Sequence, residues 1–172
     1  MHDNNQHGLS LIELLIILTI VTIVLSLSLP NLQSMKRSSA LSSFTSELIH
    51  YIRFTRYQAL ANGKRTTLCP LNESNDCTKV WTQEISVFED LDGNRKLDPE
   101  DTLMKVLSIP EQIDVNWRGV GAGKSLHFNG RGLTSISNGT FRIGVRKSEE
   151  MRHVVVSRLG KVKSKKVSKS TK

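Results

Sequence analysis

The chain has 172 residues, with 24 Lys plus Arg against 16 Asp plus Glu, for a net charge of +8. Beyond an apolar N-terminal segment about 140 residues remain, enough for one modest domain and too few for two good cores; two cysteines without a nearby Cys/His set make a poor zinc site. The charge is placed unevenly: residues 151–172 hold eight Lys or Arg and no acid, whereas residues 1–150 hold sixteen of each, and such a local basic excess suits a polyanion such as nucleic acid or anionic lipid.

The first element is the run of residues 9–29, apolar apart from scattered hydroxyls and one acid, Glu13. As a helix rising about 1.5 Å per residue it covers roughly 30 Å, the thickness of a hydrocarbon core. A carboxylate at that depth is disfavoured by roughly 2–3 kcal/mol, so Glu13 needs a partner. A secretory signal peptide has a basic start, about 7–15 apolar residues and a small-residue cleavage site; this run is longer, holds an acid and begins directly after Gly8.

The string Gly8-Leu9-Ser10-Leu11-Ile12-Glu13-Leu14-Leu15 resembles the processing and assembly signal of type IV pilins and their type II secretion relatives. The resemblance implies that a prepilin peptidase cuts between Gly8 and Leu9 and methylates the new terminus. It also implies that Glu13 meets the terminal amine of a neighbouring subunit, satisfied only on assembly. Two departures stand out: Leu9 occupies a position usually held by Phe, and the leader, residues 1–8, has no Lys or Arg.

Pro30 closes the apolar run and can kink or interrupt the helix. Leu41, Phe44, Leu48, Tyr51, Ile52, Thr55 and Ala59 then recur near a 3.6-residue period, with Ser43, Ser46, Glu47, His50, Arg53 and Arg56 on the other side. That is an amphipathic helix with one face for a sheet, stopped at Asn62-Gly63, which tolerate positive φ. From Lys64 onward Thr66–Cys69, Val80–Phe88, Thr102–Ile109, Ile113–Trp117, Ser125–Phe128, Thr140–Val145 and His153–Ser157 read as strands, punctuated by Gly, Asn, Asp and Pro. The expected fold class is α+β: a long N-terminal helix packed on a mostly antiparallel β-sheet domain. The expected segments are a leader 1–8, a transmembrane and assembly helix 9–29, an amphipathic helix 30–62, a β-rich domain 63–157 and a basic flexible tail 158–172.

Arg56-Tyr57-Gln58-Ala59-Leu60, Thr67-Leu68-Cys69-Pro70, Cys77, Trp81, Val87-Phe88-Glu89-Asp90 and Phe128-Asn129-Gly130-Arg131-Gly132 follow in that order. The order resembles the GspH/FimT family of minor pilins and pseudopilins over residues 8 to about 163. The resemblance implies a pilin-like fold; the residues themselves show no assembled catalytic set, so no enzyme activity and no cofactor are expected. It implies as partners other pilin or pseudopilin subunits and the prepilin peptidase. It further implies a single pass through the inner membrane with a periplasmic C-terminal domain before incorporation into a pilus or pseudopilus. Lys36 and Arg37, by the positive-inside rule alone, put the domain on the cytoplasmic side instead. The even count and short separation of Cys69 and Cys77, in a domain expected outside the cytoplasm, favour one disulfide.

Two motifs tempt and fall short. Gly121-Ala122-Gly123-Lys124-Ser125 lacks the first glycine of a phosphate loop, Arg118 standing there. In the stretch from Asp90 to Asp101 the turn glycine of an EF-hand is replaced by Arg95 and the bidentate Glu by Asp101, so an acidic hairpin turn is the better reading than a calcium loop. His50, His127 and His153 lack a suitably spaced nucleophile and acid. The basic end is different. Family members implicated in DNA uptake carry a Gly-Arg-x-Arg element, and Gly160-Lys161-Val162-Lys163 occupies its place with lysines for both arginines. Arg158, Lys161, Lys163, Lys165 and Lys166, extended by Lys169 and Lys172, are the expected binders of double-stranded DNA during natural transformation. Lysine keeps the charge and loses the planar fork that grips phosphate. The competing expectation is a structural subunit without DNA binding, either a pseudopilin of type II secretion or a minor pilin that primes pilus assembly.

Overall fold

The computed structural model describes residues 10–120, 123–146 and 148–168; the side chains of residues 25–31 and of Ser168 lie outside the described residues. Among the described residues one helix, α1, spans Leu11–Asn62, followed by eight strands: β1 Thr66–Cys69, β2 Glu84–Glu89, β3 Leu103–Ser108, β4 Ile113–Gly119, β5 Leu126–Phe128, β6 Gly139–Val145, β7 Glu150–Val156 and β8 Val162–Ser168. The chain divides into two units, residues 1–38 and 39–172.

In the first unit Ser10 caps α1: its carbonyl accepts from the amides of Glu13 (3.1 Å) and Leu14 (3.2 Å), and its hydroxyl from Glu13 (3.3 Å). Glu13 sits in the first turn, where a carboxylate complements the positive end of the helix dipole. Pro30 does not interrupt the helix, since α1 continues through it. A proline in a helix interior forfeits one backbone bond and costs about 3 kcal/mol, which the rest of a 52-residue helix absorbs. The described apolar side chains from Leu11 to Val24 are exposed. Among the described residues no helix is long and apolar enough to cross a membrane; of the expected span, Leu9 and the side chains of residues 25–29 lie outside them.

In the second unit the amphipathic reading of α1 holds residue by residue. Leu41, Phe44, Leu48, Ile52, Thr55 and Ala59 are buried, and Tyr51 packs half-buried beside them. The buried hydroxyls of Thr45 and Thr55 donate to the carbonyls of Leu41 and Tyr51, which lets polar residues share the apolar stripe. Gly63, at φ 66°, ends the helix as Asn62-Gly63 suggests. A Cβ on Gly130 would collide with the Gly63 backbone, so the Gly130 position serves this close approach of two chain segments.

The strands form two antiparallel four-stranded sheets, ordered β3-β2-β1-β5 and β4-β6-β7-β8. Both contribute to one core with α1: Leu68, Ile85, Val87, Leu107, Leu126 and Phe128 from the first, and Ile113, Trp117, Phe141, Ile143, Val154 and Val156 from the second. Trp81, Trp117 and Phe141 pack together within it, Phe141 lying edge-on to Trp81 at 5.3 Å and tilted against Trp117 at 4.2 Å between ring centroids. A smaller cluster gathers Phe88 with Cys69 and Cys77, which form a disulfide with Cα atoms 5.6 Å apart.

The expected flexible tail over residues 158–172 is corrected by the structure for its described part. Residues 162–168 pair with β7 as β8, in register from Val156↔Val162 to Glu150↔Ser168. Ser157 to Lys161 close the hairpin. The Gly160 amide donates to the Ser157 carbonyl (2.9 Å), and Gly160 takes the left-handed φ of 72° that such a loop requires. The composition reads as disordered because lysine and serine dominate it; the unpaired backbone edge of β7 and the half-buried Val162 supply what composition does not. Lys169 and Lys172 lie outside the described residues. Opening the Cys69–Cys77 link by a Cys69→Ser/Cys77→Ser exchange is expected to lower stability by about 2–3 kcal/mol, read as an earlier guanidinium midpoint than that of the oxidised chain.

Candidate nucleic-acid interface

In β7 the buried Val154 and Val156 face the core and the exposed Val155 faces outward. Strand alternation then fixes β8: Lys163, opposite Val155, and Lys165, opposite His153, stand on the outer face, whereas Lys166 lies opposite Arg152 on the other face. Lys166 accordingly reaches Glu150, 3.9 Å from its carboxylate. Arg158 and Lys161 are exposed in the connecting turn. The structure thus brings Lys163 and Lys165 onto one surface, holds Arg158 and Lys161 at the hairpin end, and gives Lys166 to a carboxylate.

The pairing of β4, β6, β7 and β8 extends that surface. Asn116, Arg142, His153 and Lys165 are successive cross-strand partners, and Arg118, Thr140, Val155 and Lys163 form the next row. Burial, then the charges of Arg142 and Lys165, hold the His153 imidazole below its ordinary pKa. On the same face Asp114 is paired with Arg146, Nε to carboxylate 2.9 Å. Arg118 and Arg142 carry no motif in the sequence; only the register between distant strands makes them neighbours of the C-terminal lysines. A second basic feature lies at the hairpin end, where Arg53, Arg56, Tyr57 and Leu60 of α1 meet Gly160–Lys163 around a groove of about 440 Å³. Arg56 is anchored there, donating from Nε to the Gly132 carbonyl at 3.0 Å.

The remaining candidates fall elsewhere. The described part of Gly121–Ser125 leads into β5, a strand and not the helix a phosphate loop needs; Gly121 and Ala122 lie outside the described residues. Residues 90–101 join the antiparallel neighbours β2 and β3, and the carboxylates of Asp92, Asp98 and Asp101 have partners within the segment. The Asn94 side chain donates to Asp92 (2.7 Å) and Asp98 (2.6 Å), and Asp101 accepts the amides of Leu91 and Asp98. Asp90 is fully buried, bonded by the Thr67 hydroxyl at 2.6 Å and paired with Arg65 at 3.2 Å. His50, His127 and His153 stand on α1, β5 and β7. Glu13 lies in the first turn of α1; Gly8 and Leu9 lie outside the described residues.

A family model described as type II transport protein GspH matches residues 45–160, and one described as a prokaryotic N-terminal methylation motif matches residues 3–29. Two crystal structures of the type IV minor pilin FimU of Pseudomonas aeruginosa (strain PAO1) are similar in fold. One superposes with a TM-score of 0.56 at 16% identity, covering 72% of this chain and 91% of FimU. The other gives 0.54 at 14%, covering 77% and 90%. Comparison with curated protein sequences gives no match.

The first sheet holds one histidine, His127 on β5. Burial, then the nearby Arg65 and Arg95, push the His127 pKa from 6.5 down to about 4, and its Nδ1 has no hydrogen-bond partner among the described residues. The folded chain keeps this imidazole neutral where the unfolded chain protonates it. Its contribution is therefore full above pH 6.5 and declines as pH falls toward about 4, by at most about 3 kcal/mol. Urea midpoints across that window are expected to fall more steeply for the native chain than for His127→Gln.

Proposed function

This chain belongs to the GspH family, and on that premise we propose that it is a minor type IV pilin that assembles through its N-terminal helix and holds double-stranded DNA through its C-terminal hairpin during natural transformation. The observation that carries the assembly reading is the methylation motif over residues 3–29 together with the exposed apolar side chains of Leu11 to Val24. A chain that leaves such a surface bare needs lipid or other subunits to cover it. In this reading the prepilin peptidase cleaves after Gly8, the apolar segment over residues 9–29 makes a single pass through the inner membrane, and the domain faces the periplasm until extraction into the filament. Glu13 then pairs with the amine of a neighbouring subunit, which removes the cost of its burial.

The DNA reading draws support from Arg158, Lys161, Lys163, Lys165 and Lys166. Each neutralised phosphate releases a counterion, so binding is steeply salt-dependent and indifferent to base sequence. A second reading, a structural pseudopilin of type II secretion that contacts other minor subunits, draws support from the description of the matched family as type II transport.

Three measurements test these readings. The mature chain is expected to begin at a methylated Leu9 by mass spectrometry. Glu13→Leu is expected to abolish incorporation, seen as loss of the subunit from sheared filaments while the membrane pool persists. The purified chain in detergent is expected to retard duplex DNA at low salt, and the Lys161, Lys163, Lys165 and Lys166 to Gln replacement to release it. Retention of the first eight residues would overturn the assembly reading; a normal mobility shift by the four-lysine variant would overturn the reading of DNA held by the hairpin lysines.

A further inference from the structure

We infer that the phosphodiester backbone of duplex DNA lies across the outer face of the second sheet, where Arg118 and Arg142 supply the guanidinium forks that the lysine-only hairpin lacks. This rests on the DNA reading above and adds to it a path and two residues. The outward positions alternate with the buried Trp117, Phe141, Ile143, Val154 and Val156, so their face is fixed by the core. Arg142 and Lys165 flank His153 in one row, and Arg118 and Lys163 close the ends of the next. With strands about 4.8 Å apart and residues two apart separated by about 7 Å, the cations bound a patch roughly 10–15 Å across, a scale set by the sheet itself.

Three features favour an anion there. Among the residues of these four strands the carboxylate on this face is that of Asp114, engaged by Arg146, and Glu150 faces the other way, toward Lys166. Burial first, and then the positive charges of Arg142 and Lys165 on either side, lower the His153 pKa, so this row gathers positive charge without a carboxylate in it. Gly144, opposite Asp114 and Met151, leaves the face hollow beside Arg118 and Arg142, in a depression of about 430 Å³. Arginine reads phosphate bidentately, whereas lysine offers a point charge; the exchange of arginine for lysine in Gly160-Lys161-Val162-Lys163 is thereby offset from strands β4 and β6. Among the residues of these four strands Val155 is the exposed large apolar side chain, too little apolar area for a surface that lies in a lipid interface. Arginine and lysine side chains spread across the face suit phosphate oxygens, contacts that position the duplex without reading its sequence.

The test compares the full chain in detergent with R118Q/R142Q, R118K/R142K and the four-lysine variant, using fluorescence anisotropy on a labelled mixed-sequence duplex over a salt series. R118Q/R142Q is expected to bind about tenfold or more weakly, with the log–log salt slope reduced by about 1.8 for two lost phosphate contacts. R118K/R142K is expected to keep the slope and still bind severalfold more weakly, because charge is retained and the fork is lost; it also decides the matter if the glutamine variant does not fold. Unchanged affinity in both arginine variants, with loss in the four-lysine variant, overturns this inference and leaves the DNA reading standing. No binding by the native chain overturns both. Loss of sedimentation with phosphatidylserine vesicles in R118Q/R142Q, with duplex affinity intact, assigns the face to lipid and overturns the inference.

Discussion

Leu41, Phe44, Leu48, Ile52 and Ala59 are withdrawn from water along one side of α1, and the organisation of the second unit follows from that stripe. Full burial of a large aliphatic or aromatic side chain contributes about 1.5–3 kcal/mol, so these residues are among the main stabilising contacts of a core to which both sheets contribute. Because the two sheets share that core, their outward faces are set by it. A residue of β6 or β7 cannot turn inward without exposing Phe141 or Val154. The cationic face is in this sense a by-product of apolar packing: its side chains are where they are because their neighbours are buried.

Much of this was legible in the sequence where local chemistry decides. The apolar period in α1, the stop at Asn62-Gly63 and the boundaries of β1 all agree with the chain's own pattern. The start of β2 shows the limit. The apolar pair Val80-Trp81 suggests a strand from Val80, yet the strand begins at Glu84, and Trp81 is buried from an irregular segment, because packing and not pairing claims its side chain. Pro30 allows either a kink or an interruption by its own chemistry, and α1 is not interrupted there.

For the candidate interface the division is sharper. Lys161, Lys163, Lys165 and Lys166 are visible as a run, since charge clustering along the chain needs no fold. Whether they act as a loose arm or a strand depends on hydrogen bonds to β7, which no window of composition contains. Arg118 and Arg142 were invisible as partners of that run because the sheet order β4-β6-β7-β8 joins segments far apart in sequence. The net charge of the C-terminal residues therefore understates the basic surface, and the balanced remainder hides half of it.

That β8 is the outermost strand of its sheet has a practical meaning for shortened versions of this protein. Cutting the chain after Gly160 removes a ladder as well as lysines: the outward amides and carbonyls of β7 lose their partners and the rim of the core beside Val156 opens where Val162 had closed it. A bare, regular strand rim is a template for pairing with another molecule. Loss of a ligand in such a truncation would therefore report self-association as readily as missing charge, and side-chain replacement within an intact ribbon separates the two.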